Sequence, residues 1–182
     1  MPRRAAAAAL ALLAAAGACQ KSNPSSLTAN LAAENKVSLR QVRLYFEGPE
    51  MLLAAETRDV SLPENPAAAL PVVMRELLKG SASTAVARSF PADTVLLGAY
   101  LLPDGTVFVD LGGPTLQQGW GTGSHEELMA IYSVVQTVTT NFPEAKRVRL
   151  LVNGEPAETL AGHVALDRSL TPKGELVDPR RR

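Results

Sequence analysis

The sequence contains a single cysteine and only two histidines among its 182 residues. A lone cysteine cannot form an internal disulfide, and these counts are too low for the cysteine and histidine clusters that bind zinc. Aromatic residues make up 4% of the chain, so we expect an aliphatic core. The formal net charge is +0, without the basic excess that is typical of nucleic-acid-binding proteins. We therefore expect no metal, no other cofactor and no nucleic-acid partner.

The start of the chain is typical of an export signal. Two arginines are followed by an uncharged alanine–leucine run over residues 5–16 and by small residues directly before Cys19. The run is shorter than the roughly 20 apolar residues of a spanning helix. The segment ending at Cys19 resembles a bacterial lipobox, although Ala16 stands where leucine is commonest. The resemblance implies that residues 1–18 are a lipoprotein signal peptide and that lipid on Cys19 anchors the exported protein to the cell membrane. Ordinary secretion with a free thiol is the alternative.

The rest of the chain divides into three parts by composition. Residues 19–41 are polar with little to bury, which predicts a flexible tether. Residues 42–170 have the size and apolar content of one domain. Residues 171–182 form a C-terminal tail that ends in DPRRR. Because the chain as a whole carries no net charge, we expect this tail to be a frayed, solvated terminus.

The hydrophobic pattern of the domain alternates between strand and helix periods. It predicts strands over 42–46 and 51–60, a helix from Asn65 to Gly80, a hairpin of 95–102 and 106–111, a helix from Ser124 to Phe142, and a hairpin of 148–152 and 157–160. Because proline is tolerated only in a first helical turn, Pro71 indicates that the first helix starts later than Asn65. This order predicts an α+β fold, with a mixed or antiparallel sheet and both helices packed on one face.

A glycine-rich loop, residues 119–123, precedes the second helix. Such a loop can bind an anion with free N–H groups, but this one matches neither the dinucleotide fingerprint nor the lysine-containing phosphate loop. Ser124 and Glu127 instead have the S-x-x-E spacing of a capping box. Glu126 and Glu127 also place negative charge in the first turn, where it would repel a phosphate. The stretch is therefore interpreted as a capped helix start.

The chain contains the residue types of a serine–histidine–aspartate catalytic trio, in Asp110, Ser133 and His163. Nucleophilic catalysis needs the base within hydrogen-bond reach of the nucleophile, and the sequence has no G-x-S-x-G elbow. Ser133 lies in mid-helix, where a small packing residue is the simpler interpretation. We therefore expect no enzymatic activity.

An ordered series of short motifs resembles the GerMN domain, the sporulation and spore-germination family often found on bacterial lipoproteins. In this chain the motifs are VRLYF at 42–46, ETRDV at 56–60, MRELLKG at 74–80, FPADT at 90–94, VFVDL at 107–111, SHEELMAIYSVVQT at 124–137, VRLLVNG at 148–154 and TLAGHVAL at 159–166. The chain departs from the pattern at Asp93, where glycine is usual, and at Gly112, where serine is common. The resemblance covers about residues 42–170.

The resemblance implies an envelope assembly or interaction module, with a fold similar to the ring-building domains of secretion and sporulation machines. No enzymatic activity is established for that family, and its ring-building relatives raise self-association as a further use. The resemblance also implies that Arg58 forms a structural ion pair with Asp110 or Glu127.

Trp120, the only tryptophan, lies in the glycine-rich loop. If exposed, it can stack on a sugar or anchor a protein interface, and otherwise it folds over the end of the core. We predict a lipid-anchored, non-catalytic module of the cell envelope that binds another envelope protein, with Trp120 and Arg58 as candidate contacts. A domain that binds peptidoglycan or another glycan is the alternative.

Overall fold

The computed structural model describes residues 36–83, 86 and 88–181. The predicted signal peptide, Cys19 and most of the tether lie outside the described residues. The elements are β1 (Val37–Glu47), β2 (Leu53–Pro63), α1 (Pro66–Leu78), β3 (Val95–Leu101), β4 (Thr106–Gly112), α2 (Pro114–Gln118), α3 (Ser124–Asn141), β5 (Arg147–Val152), β6 (Glu155–Pro156) and a 3-10 turn (Gly174–Leu176). The predicted α+β class is confirmed. The short helix α2 was not predicted, and β6 pairs directly after the Asn153–Gly154 turn, earlier than expected.

The strands form two sheets, where a single sheet was expected. β1 and β2 pair as an antiparallel hairpin, while the second sheet has the order β3-β4-β5-β6 with β4 and β5 parallel. The hairpin packs on α3. The backbone N–H of Tyr45 donates to the Thr137 hydroxyl at 3.0 Å, and the Asn141 amide bonds both backbone groups of Arg43.

The four-stranded sheet carries both long helices on one face, as predicted. α1 contacts β3, and α3 contacts β5. The inward side chains of β4, at Val107, Val109 and Leu111, are completely buried. Helix α3 is buried on both sides, since all ten residues from 129 to 138 are buried. A one-sided stripe was expected for this helix, and the hairpin covers its other side.

Helix α1 begins earlier than Pro71 suggested. Asn65 is the N-cap, its side-chain oxygen accepting the backbone N–H of Ala67 at 2.9 Å, and Pro66 occupies the first turn where proline is favoured. Pro71 lies inside the helix and removes one backbone hydrogen bond there. The cap and a fully buried apolar stripe outweigh that loss.

The two ends of the described chain are more ordered than predicted. β1 begins at Val37 and pairs with Pro63, so the last predicted tether residues belong to the strand. The predicted frayed tail packs against β2. Val177 forms a parallel bridge with Leu53, and the backbone N–H of Ala55 donates to the carbonyl of Arg181 at 2.9 Å.

The packing of this tail predicts a measurable stability effect. Val177 is 6% exposed, so Val177→Ala should lower the free energy of unfolding by about 1 to 2 kcal/mol, as deletion of buried methyl groups does. Urea denaturation followed by circular dichroism measures it. Glu175→Ala, at an exposed position of the same segment, should stay within about 0.5 kcal/mol of the original protein. Equal, small effects of both changes would contradict the packed tail.

Candidate functional site

Glu127 is a completely buried acidic residue whose carboxylate accepts four backbone hydrogen bonds. It lies in the first turn of α3 and is 0% exposed. Its Oε1 accepts the backbone N–H groups of Leu160 and Ala161, both at 2.8 Å. Its Oε2 accepts those of His163 at 2.8 Å and Val164 at 3.1 Å. One carboxylate therefore fixes a whole loop to the start of α3, and hydrogen bonds to an ionised acceptor are the strong kind.

Glu127 does not form the predicted capping box. α3 starts at Ser124, as predicted, but its N-cap is Gly123, and no side chain caps this end. Ser124 is therefore the first helical residue, one position too late to act as the cap. The S-x-x-E spacing is real, but the Glu127 side chain turns to the loop at 160–164 and away from its own helix end.

The loops around Glu127 enclose an open groove of about 570 Å³, which we call the Trp120 groove. One wall is the segment 116–121, which contains the end of α2 and the glycine-rich loop, and the other is the segment 159–162. Trp120 is half-buried and its ring stacks on Phe90, with centroids 6.0 Å apart and planes at 28°. Trp120 thus rests on the buried Phe90 and still lines the groove.

The structure does not bring together the hypothetical catalytic trio of Asp110, Ser133 and His163. The Asp110 carboxylate accepts the backbone N–H of Gly154 at 2.9 Å, after β5. Ser133 is completely buried and donates to a backbone carbonyl of its own helix at 2.7 Å. The His163 ring lies 3.2 Å from the carbonyl oxygen of Thr122. Each side chain therefore has a separate local partner.

The second histidine, His125, is half-buried beside a carboxylate. His125 Nε2 lies 2.9 Å from Glu47 Oε1, which connects the first turn of α3 to the end of β1. Glu47 and Trp120 also line a separate cavity of about 120 Å³.

Arg58 forms ion pairs, but with other partners than predicted. Its guanidinium pairs with Glu56 and with Glu76, where Nη1 and Oε2 are 3.2 Å apart, and donates to the Gly80 carbonyl at 3.0 Å. Asp110 and Glu127 are occupied elsewhere, by Gly154 and by the 160–164 loop. These ion pairs join β2 to the end of α1, and only 20% of the Arg58 side chain is exposed.

The two carboxylates of this cluster are held in their charged form. Burial raises the pKa of Glu56, but hydrogen bonds from Ser81 and Arg58 outweigh it and leave the pKa below its ordinary value of 4.5. Burial acts in the same direction on the pKa of Glu76, and hydrogen bonds from Lys79 and Arg58 lower that pKa overall.

The outward face of the four-stranded sheet is apolar along one side. We call it the outer sheet face, defined by Val95, Leu97, Tyr100, Phe108 and Leu151. The first three are 50%, 52% and 61% exposed. Tyr100 pairs with Phe108 across β3 and β4, and a register shift at Leu97 marks a bulge in the edge strand. The helices pack on the opposite face, so nothing in the described residues covers the outer one.

The chain is similar to known proteins in both sequence and structure. The sequence model of the family described as Germane, sporulation and spore germination, matches residues 43–158. No curated protein matches. A Clostridium perfringens protein described as a lipoprotein is similar in structure, with a TM-score of 0.53, 18% identity, and coverage of 74% of this chain and 88% of that one. The tandem GerMN domains of the sporulation protein GerM from Bacillus subtilis are also similar in structure, with a TM-score of 0.53 and 20% sequence identity. This match covers 72% of this chain and 46% of that one. At these identities the structural matches show the fold.

Proposed function

The chain belongs to the sporulation and spore germination family, as its resemblance to the GerMN domain predicted, and from this premise we propose that it is a non-catalytic docking module of the cell envelope. It is anchored through lipid on Cys19 and binds a protein partner through the outer sheet face. The description of the Clostridium perfringens relative as a lipoprotein supports the anchor. No described helix is both long enough and apolar enough to span a bilayer.

The outer sheet face is the observation that carries this proposal. Of the seven large hydrophobic side chains exposed in the described residues, four lie on β3 or directly after it: Val95, Leu97, Tyr100 and Leu102. Monomeric soluble domains rarely expose a contiguous apolar patch of this kind unless it binds something. Asp110 lies within the patch, between Gly98 on β3 and Leu151 on β5. Arg149 lies opposite Phe108 on the same face, so the surface offers polar as well as apolar contacts.

The polar side chains of the domain support a structural and not a catalytic use. The Glu127 carboxylate is saturated by four backbone N–H groups, and the Arg58 cluster satisfies its own charges. General acid–base or nucleophilic catalysis needs a reactive group near a base or acid in an accessible cleft. Asp110, Ser133 and His163 do not meet that condition.

Site-specific photocrosslinking tests the docking surface. A photoreactive phenylalanine derivative at position 100 should form a reproducible adduct with one envelope protein in the native cells. Leu97→Glu in the same chain should reduce that adduct about tenfold, because a charge would be buried in an apolar interface. The photoreactive residue at position 39 is the matched control, since Leu39 is equally apolar and 71% exposed but lies on β1.

The adduct also decides the class of partner. An adduct of the chain with itself would identify a second copy as the partner. The same proteins captured from positions 39 and 100, or wall fragments without protein from position 100, would overturn docking through the outer sheet face.

A further inference from the structure

Among the residues that the structure describes, those that line the Trp120 groove include no charged side chain. Charged residues make up 20% of the chain, yet both walls consist of glutamine, threonine, glycine, alanine, leucine and tryptophan. A fixed anion or a fixed cation would therefore find no counter-charge in the groove. Its volume of about 570 Å³ lies within the usual range of small-ligand sites, roughly 300 to 1,000 Å³.

The polar groups that line the groove can both donate and accept hydrogen bonds. Gln117 and Gln118 are exposed side by side at the end of α2, each with a primary amide. The Thr159 hydroxyl accepts the backbone N–H of Gly162 at 3.0 Å and keeps its own proton to donate. These groups complement a neutral ligand that is rich in hydroxyl and amide groups.

The groove is unsuited to the side chains of a peptide. Its two leucines, Leu116 and Leu160, are each only 6% exposed and belong to the core beneath it. Apolar anchors need an open apolar pocket, and four of the seven large hydrophobic side chains exposed in the described residues lie on β3 or directly after it instead. A sugar ring, by contrast, presents an apolar C–H face to an aromatic ring and hydroxyls at its edge, and Trp120 supplies such a ring.

One wall of the groove is held by hydrogen bonds, and the other has open space beside it. The Glu127 carboxylate holds the backbone of Leu160 and Ala161 by bonds of 2.8 Å. Across the groove, no atom of the described residues lies within 4 Å of the position that a side chain at Gly119 or Gly121 would take, so there is open space beside the loop that carries Trp120. A rigid wall reduces the entropy cost of binding, and the open loop admits ligands of different length.

We propose that the Trp120 groove binds a neutral oligosaccharide of 2-acetamido sugars. The acetamido group carries one N–H and one carbonyl, which match the amides of Gln117 and Gln118, while Trp120 stacks on the sugar ring. This site goes beyond docking through the outer sheet face, because the two share no residue.

Trp120 provides its own reporter, because it is the only tryptophan in the chain. Full-length protein in detergent is titrated with chitotetraose, and the fluorescence of Trp120 should change saturably with a Kd of about 10 μM to 1 mM. The double variant Gln117→Ala with Gln118→Ala should bind about tenfold more weakly, since two hydrogen bonds are lost. Gln41→Ala, at an exposed glutamine on β1, is the matched control and should bind like the original protein.

The comparison ligands separate sugar recognition from other binding. Cellotetraose has the same linkage without acetamido groups and should bind at least about tenfold more weakly. Equal affinity for both sugars would overturn the acetamido assignment. Absence of a saturable change with chitotetraose, or tighter binding of a neutral tetra-alanine peptide, would overturn the groove as a sugar site. Leu97→Glu should leave the titration unchanged, so this test and the docking test fail independently.

Discussion

Glu127→Gln should lower the free energy of unfolding by about 3 to 5 kcal/mol, the largest single effect we expect in this domain. The carboxylate accepts four backbone N–H groups in a site that is 0% exposed. A glutamine amide keeps one oxygen, but its NH2 group would point at two N–H donors that it cannot accept. Two backbone N–H donors beside the buried side chain would lose their partners, and the remaining two bonds would lose the charge that strengthens them.

Glu126→Gln is the matched control for this change. Glu126 lies in the same first turn of α3, so its replacement removes the same charge beside the same helix end. Because its side chain is exposed, we expect a change within about 0.5 kcal/mol. Urea denaturation of both variants, followed by circular dichroism, measures the difference. Similar stabilities of the two variants would show that the loop contributes little to folding.

Hydrogen exchange locates the effect. In the original protein the amides of Leu160, Ala161, His163 and Val164 should exchange slowly, and in Glu127→Gln they should exchange much faster than the amides of β4. Uniform acceleration over the whole domain would mean that Glu127 supports global folding and not this loop in particular. The rigid wall of the Trp120 groove depends on the local result.

Local sequence signals predicted the elements well where the structure is decided locally. Pro103 to Gly105 turns between β3 and β4, and Asn153–Gly154 turns between β5 and β6 with Asn153 at φ 53° and Gly154 at φ 82°. The same reasoning failed for α3, whose second buried side is visible only once the β1–β2 hairpin is placed. Small polar residues such as Thr137 bond to that hairpin, but in the sequence they resemble a solvent-facing stripe.

The sequence predicted the candidate site less accurately than the helices and strands, because the contacts of the site join distant parts of the chain. Ser124 and Glu127 have the spacing of a capping box, and no local pattern shows that four amides beyond residue 159 converge on one carboxylate. Arg58 was correctly expected in an ion pair, yet its partners lie on its own strand and at the end of α1. Trp120 was identified as a candidate contact, whereas the glutamines beside it were not, since exposed amides carry no distinctive pattern.

Arg58→Met should lower the free energy of unfolding by about 2 kcal/mol, between the values for exposed and buried ion pairs. Methionine keeps much of the side-chain length but leaves Glu56 and Glu76 as neighbouring negative charges with less compensation. The carbonyl groups of Glu76 and Gly80 also lose their donor. Arg75→Met, at an exposed arginine on α1, removes the same charge and should change the stability by less than about 0.5 kcal/mol.

The pH dependence of stability distinguishes the ion pairs from simple packing by Arg58. The pKa values of Glu56 and Glu76 lie below their ordinary value of 4.5 in the folded protein, so both carboxylates stabilise the fold above that pH. This contribution is lost as the pH falls through the lowered pKa values. The original protein should therefore lose stability more steeply between about pH 5 and pH 3 than Arg58→Met, in which the carboxylates have lost one charged partner. Parallel pH profiles for the two proteins would contradict the ion pairs and assign the effect of Arg58 to its packing.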